Sequence, residues 1–514
     1  MFHVGIHRMI FPNFSDYRLM NTTLAGAPAA PASPLQQFQD SLKTSDIAAA
    51  LADGLIGKDA SIDGPFGSKP LVYADYVASG RALMQVERFV LEQVLPYYAN
   101  SHTEASFCGG FITRLRREAR AAIGRGCGAG DEHAVIFSGS GATAGINRLV
   151  NLFGVKAAVA AGRKVRVIIG PYEHHSNILP WRECGADIVE LEESPEGGPD
   201  LAQLAQALAA PAGALVVCAL SAASNVTGIV ADVEGITRRV KAAGAKMLWD
   251  YAGGAPYLPI RMSPAPDAQI DAIVFSPHKF IGGPGASGVL IVRRDAVLDM
   301  TPTWPGGGTV KFVSPVGHDY SGSLESREEA GTPNVVGDIR AALVVLVKEA
   351  LGADFMQQRH AHFVQRALAA WKGAERLELL GSLTANRLPI FSFRVRDGKG
   401  GFVHQQLVTR MLSDRFGIQA RGGCACAGPY VHRLLEIDDA QSLQMRRAIL
   451  DGREIEKPGF VRLNFSALLS DAKADFILES VLALAADATE YAHLYGFDPS
   501  RAIFFPHDAQ KKAA

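Results

Sequence analysis

Three short runs carry residue types that can do covalent chemistry or hold an anion. In Asp271-Ala-Ile-Val-Phe-Ser276-Pro-His278-Lys279, a β-rich run ends in a turn with a single lysine, and a second apolar run, Gly288 to Val292, follows a glycine-rich bend. A lysine behind a buried strand, if desolvated or set near other cations, has a lowered pKa and can attack a carbonyl carbon. In Arg421-Gly-Gly-Cys424-Ala-Cys426-Ala-Gly-Pro429, a guanidinium fork shares a glycine-rich loop with two thiols. Such a fork suits an amino acid's carboxylate, and a thiolate on a loop can swing toward a substrate sulfur. Ser140-Gly141-Ala142-Thr143 lies between an apolar run and a helix start, where small residues let backbone N–H groups approach an anion. His174 in Glu-His-His-Ser-Asn and Asp250 after Lys246-Met-Leu-Trp249 each follow an apolar run. Taken singly, these also suit a surface lysine, a structural histidine, a capping aspartate or an inert loop. The Cys-x-Cys pair with His432 nearby has a metal-site reading as well, but the spacing gives no complete tetrahedral set.

The totals limit what surrounds these runs. At 514 residues, with 48% hydrophobic and 20% charged residues, the chain has the composition of a globular protein with a large core. A formal net charge of -1 gives no reason to expect a nucleic-acid or anionic-membrane partner. Six cysteines are too sparse for a disulfide framework and point to a reducing compartment. No uninterrupted apolar run is long enough to span a bilayer, and Met1 to Met20 lack the apolar block of a secretory signal. A cytoplasmic location is expected.

The elements that must position the reactive residues follow a repeating pattern. The first thirty or so residues read as flexible, with Met20 an alternative start, and Ser33 to Leu55 reads as helical. Leu71 to Asp75 reads as a first strand, followed by helices around Arg81–Val94 and Gly110–Ala122. From Ala134 onward, strands at Ala134–Phe137, Lys164–Ile169, Ala214–Leu220 and Lys246–Trp249 alternate with turns and helices. That alternation predicts an α/β fold with a mainly parallel sheet covered on both faces, and ligands gather outside the carboxyl ends of such strands. A long helical stretch runs from about Asp338 to Trp371. Beyond it the chain reads as a smaller α+β unit: a strand Ile390–Val395, a helix Val403–Phe416, the Gly/Cys loop, a strand Phe460–Phe465 and a last helix. The tail past Tyr495 reads as ragged.

Ser276-Pro-His278-Lys279 with its glycine-rich turn resembles the cofactor-lysine segment of class V pyridoxal-phosphate (PLP) enzymes. The resemblance implies PLP fold type I with a seven-stranded-type sheet: an extension over 1–68, a large PLP-binding domain over 69–340, a small C-terminal domain over 341–496 and a tail over 497–514. It implies PLP held by Lys279 as a Schiff base, with Ser276, His278, Ala142 and Thr143 around the phosphate. The resemblance further implies that His174 stacks on the ring and helps move protons, with His175 a weaker candidate, that Asn225 contacts the ring hydroxyl and the substrate, and that Asp250 keeps the ring nitrogen protonated. Thr332 in Glu329-Ala-Gly-Thr-Pro-Asn reaches the phosphate of a neighbouring subunit, which implies a homodimer. The Arg-x-Gly-x-x-Cys-x-x-Pro arrangement of cysteine desulfurases and selenocysteine lyases fits Arg421, Cys426 and Pro429. It implies that Arg421 binds a substrate carboxylate and that Cys426 receives sulfur as a persulfide, with alanine released and a sulfur-acceptor protein as partner. Gly-Cys-x-Cys also resembles the aminotransferase-like domain of molybdenum-cofactor sulfurases. A class V aminotransferase, another PLP lyase or epimerase, and a non-catalytic PLP-fold module are the alternatives. The chain departs from the family at Asp250-Tyr-Ala-Gly253, where the family has Asp-Gly-Ala-Gln, at Asp75-Tyr-Val-Ala-Ser79, and in a longer, more charged stretch from His432 to Pro458.

Overall fold

The computed structural model describes residues 32–507 apart from 102, 211 and 212. The expectations for the first thirty residues lie outside that range. Seven strands form the larger sheet: β1 His133–Gly139, β2 Val165–Ile169, β3 Asp187–Glu190, β4 Leu215–Ser221, β5 Lys246–Asp250, β6 Ala272–Phe275 and β7 Gly288–Arg293, in the order β1-β7-β6-β5-β4-β2-β3. Neighbours from β6 through to β3 run parallel, and β7 is antiparallel to both β1 and β6. Both faces are covered, so the strands carry apolar residues at nearly every position. Val135, Phe137, Trp249 and Phe275 belong to the cluster beneath the helices Phe107–Gly126 and Val335–Leu351. Their alternates Ala134, Ile136, Leu248 and Val274 pack with the helix Gly141–Leu152.

β1 is an edge strand, and a buried carboxylate stands at its rim. Glu329 accepts from the Phe137 N–H at 2.8 Å and from Arg120 at 2.6 and 2.8 Å, and it pairs with Arg116 at 2.5 Å. Burial alone would raise its pKa, but Arg120 and Arg116 outweigh that and hold it below the usual carboxylate range. Glu329→Ala, which leaves two part-buried guanidiniums without this counter-ion, is expected to destabilise the fold by about 3–5 kcal/mol in urea unfolding. Because the native pKa is depressed, the stabilisation is complete above the unfolded value and fades as pH falls through the native one.

The second layer is a five-stranded sheet of β8 Leu377–Leu379, β9 Ile390–Arg396, β10 Phe402–Val403, β11 Arg421–Gly423 and β12 Phe460–Asn464. Its path is β8-β9-β12-β11, with β10 on β9. Phe391, Phe393 and Phe465 pack against Trp371 and the helix Asp471–Tyr491.

Several boundaries differ from the sequence reading. Leu71–Asp75 supplies only the two-residue strand Val72–Tyr73, which pairs in parallel with Ile418–Gln419, and an antiparallel hairpin, Ser61–Gly64 with Gly67–Pro70, precedes it. The stretch Ser33–Leu55 is two helices, Pro34–Ser41 and Ile47–Asp53, because the Asp46 carboxylate caps a new start by accepting from the Ala49 N–H. The long helix to Trp371 begins at Val335 and breaks at Gly352, where φ is 78°. The described part of the tail forms a hairpin, Tyr495–Asp498 with Ile503–Pro506, anchored by the Tyr495 hydroxyl on Asp414 at 3.1 Å. Within His432–Pro458 lies the helix Asp439–Leu450, started by a capping box between Asp438 and Gln441.

Candidate functional site

The turns after β1, β2, β4, β5 and β6 leave the same edge of the sheet, and with the loop after β11 they line one cavity of about 260 Å³. Ser140 to Thr143, His174, Asn225, Asp250, Ser276, His278, Lys279, Arg421 and Cys426 all contribute to it. Of the cofactor-site residues singled out in the sequence, Thr332 is elsewhere, exposed in the bend before Val335, and His175, Cys424 and His432 also lie outside the cavity lining. Gly141 has φ of 64°, and a Cβ there would lie 2.9 Å from Ser276 Oγ. Only glycine lets the start of the helix approach the lysine turn this closely.

Lys279 closes a single 3₁₀ turn, Pro277–Lys279. Its side chain is part-buried, and the surface it keeps faces the cavity. Burial lowers its pKa to about 8, while Asp250 pulls the other way. Asp250 is 3% exposed and accepts from the Ala252 N–H at 2.7 Å. Burial raises its pKa, with that N–H and the charge on Lys279 opposing. His174 is pushed down to about 4 by burial and by Lys279, so its imidazole is neutral near pH 7. Its Nδ1 lies 2.9 Å from Ser176 Oγ, which in turn bonds Thr143 Oγ1 at 2.6 Å. Burial also lowers His278.

The segment Glu173-His-His-Ser-Asn-Ile-Leu-Pro-Trp181 has a physical basis in its buried members. Glu173 accepts from the Ser221 N–H and hydroxyl, both at 2.8 Å, and from Asn177 Nδ2 at 2.5 Å. Asn177 Oδ1 accepts from the Trp181 indole at 3.0 Å. This ladder pins the turn that presents His174. Burial raises the Glu173 carboxyl to about 7.

A phosphorylated pyridine carbaldehyde fits this donor set. One end of the cavity offers a helix start without a side-chain cap, beside the Thr143 and Ser276 hydroxyls and His278, which suits a phosphate. Asp250 is a buried carboxylate without a full ion-pair partner, which suits a protonated ring nitrogen, and Lys279 is an amine of reduced basicity for a carbonyl. The missing glutamine is a real difference. Gly253 supplies no side-chain donor, and a Cβ there would already sit 3.0 Å from the Ala223 carbonyl.

On the facing wall, Cys426 is exposed and lines the cavity, whereas Cys424 is half-buried against the cluster of Tyr172 and Tyr430. His432 is occupied at both ring nitrogens, by Gly428 O at 2.8 Å and Ser442 Oγ at 3.0 Å. Arg421 is half-exposed, with Nε 3.3 Å from Asp75. Arg462 was not singled out in the sequence. Its guanidinium is buried in the cavity wall and donates to Asp75 at 2.9 Å and Asn225 O at 3.0 Å. The signal was there, a lone arginine within the apolar run Phe460-Val-Arg-Leu, but apolar strands with one charge are common at sheet edges.

The family profile of class-V aminotransferases matches residues 72–449. A cysteine desulfurase of Serratia proteamaculans is 30% identical over 366 residues, covering 70% of this chain and 85% of the relative. One from Pectobacterium atrosepticum is 31% identical over 367 residues, with the same shares. The apo structure of a cysteine desulfurase from Thermococcus onnurineus superposes with a TM-score of 0.66 at 25% identity, covering 81% of this chain and 95% of that one. The shared architecture is PLP fold type I, as the resemblance implied. With more than half of its length inside that profile and its strand-end turns converging on one lysine, the chain belongs to the PLP-dependent class-V aminotransferase family.

Proposed function

We propose that the protein is a cysteine desulfurase, which moves sulfur from L-cysteine to Cys426 and releases alanine. The observation that carries this reading is the placement of an exposed thiol, Cys426, in the cavity that also holds Lys279, Asp250 and His174. Lys279 would hold the aldehyde end of PLP, Asp250 its ring nitrogen, and the first turn of the helix Gly141–Leu152 with Thr143, Ser276 and His278 its phosphate. When bound, PLP supplies an electron sink next to the substrate's Cα.

The chain's own residues do the rest. Arg462, with Arg421 at the mouth, takes the substrate carboxylate and sets its orientation. Lys279 Nζ, held near the pH of the cell, takes the proton from Cα and returns it. Neutral His174 offers a second site for a proton beside it. Cys426 Sγ, as thiolate, attacks the substrate's sulfur; an S–S bond forms, the Cβ–S bond breaks, and its electron pair stays on Cβ and is protonated there. Cys426 is left as a persulfide for a thiol acceptor. Six unpaired cysteines support a reducing, cytoplasmic setting, and no helix among the described residues is long and apolar enough to cross a membrane. A homodimer is part of the proposal: Thr332 is exposed away from the chain's own cavity, and Leu91, Leu95 and Phe107 are exposed apolar side chains close in sequence to one another.

The test is to mix the PLP-loaded protein with L-cysteine and assay alanine and sulfide. Cys426→Ala is expected to lower alanine release by roughly 10³-fold or more with cofactor absorbance unchanged, since the nucleophile is gone. Normal alanine release from that variant, or pyridoxamine phosphate accumulating with an amino donor, would count against desulfuration.

A further inference from the structure

Two consecutive residues of the thiol loop, Ala425 and Cys426, have φ of 50° and 55°. Left-handed backbone at non-glycine residues persists only where the surroundings hold it there. Four hydrogen bonds do so. The Ala427 N–H donates to Cys424 O at 3.1 Å, and Asn225 Nδ2 to Ala425 O at 2.9 Å. The other two belong to one residue: the His175 N–H donates to Cys426 O at 2.8 Å, and His175 Nε2 accepts from the Gly428 N–H at 3.1 Å. A Cβ at Gly428 would also stand 3.1 Å from that ring nitrogen. His175 therefore grips the loop at Cys426 and two residues beyond it, and its ring does so as an acceptor.

We infer that His175 is a positioning residue for the thiol loop, latching it over the cavity while neutral and releasing it when Nε2 is protonated. Protonation turns the acceptor into a donor facing a donor, so the bond to Gly428 is lost. The inference rests on the desulfurase reading only in taking Cys426 as the nucleophile. Burial, with Arg182 adding to it, holds His175 below the ordinary imidazole range. The charged and titratable groups around it are Lys156, Glu183, Cys184 and Arg182 on the outer side, His174 on its own turn, Cys426 in the loop it binds, and His432 and Arg433 on the helix Gly428–Leu434. His432 and Arg433 are engaged by Ser442 and Glu190. Since the released ring regains an ordinary affinity for protons, release is favoured as pH falls below about 6.5 and disfavoured above it.

The test is hydrogen exchange of the peptide spanning 424–430 at pH 7.5 and 5.5, corrected for intrinsic exchange, alongside alanine release and cofactor absorbance. The parent should lose roughly tenfold protection at the lower pH. His175→Ala should be unprotected at both values and lose about 100-fold in kcat, with KM and cofactor absorbance near the parent's. His175→Gln, which offers a neutral acceptor that does not titrate, should stay protected at both. Protection independent of pH in the parent, or equal in parent and His175→Ala, overturns the latch. A parent that makes no alanine overturns the desulfurase reading and leaves the exchange result to decide the latch separately.

Discussion

Lys279→Met is expected to abolish turnover, by roughly 10³-fold, and at the same time to stabilise the cofactor-free chain at neutral pH. The first effect follows from losing the amine that both holds the cofactor and carries the Cα proton. The second follows from burial. A fall in pKa from 10.5 to about 8 means that the native state holds an ammonium it disfavours. At 1.36 kcal/mol per unit this is at most roughly 3 kcal/mol, and less to the extent that cavity water solvates the group. Methionine fills a similar volume without a charge. The sign can be checked with pH. Between about 8 and 10.5 the unfolded chain binds the proton and the native chain does not, so the parent's stability should rise across that window. Urea unfolding of cofactor-stripped protein should show that rise in the parent and its absence in Lys279→Met. A variant that turns over cysteine within tenfold of the parent would falsify the role of this lysine.

Arg462→Met should raise KM for L-cysteine by about 100-fold or more, with a smaller effect on kcat, because it removes a desolvated cation from a carboxylate. Arg421→Met should cost about tenfold or less, since that side chain is half-exposed and its charge is screened by solvent. Asp75 remains paired with Arg421 at 3.3 Å when Arg462 is removed, so the fold is expected to survive the change. Steady-state kinetics on the two variants decide between the arginines. A larger KM effect at Arg421 would restore the assignment made from its place in the Arg-to-Cys motif.

That pair shows where the sequence was informative and where it was not. Lys279, Asp250, His174 and the run Ser140 to Thr143 each sit at the carboxyl end of a strand, and strand ends can be read from an apolar run followed by small or polar residues. The β1, β2, β4, β5 and β6 turns were legible for that reason. Arg462 and Asp75 meet only because β12 and the turn after Tyr73 are brought together across 387 residues, and no local pattern encodes such a contact. His175 was read as a weaker copy of His174. Its neighbours Cys426 and Gly428 lie in another sheet's loop, so its different task was invisible in Glu-His-His. The ordered terminal hairpin was missed because its residues alternate poorly: it depends on Tyr495 reaching Asp414 and on Phe504 lying near His404, with ring centres 5.2 Å apart.

The pairing of Val72–Tyr73 with Ile418–Gln419 also bears on how the molecule is made. Synthesis at roughly 5–20 residues per second leaves the earlier segment waiting on the order of half a minute for its mate to leave the ribosome. During that interval the leading segment carries bare main-chain amides and carbonyls, which suits a chaperone or a protease equally well. Nascent chains arrested before Gln419 should therefore be cut near Tyr73 by added protease, and chains released at full length should resist.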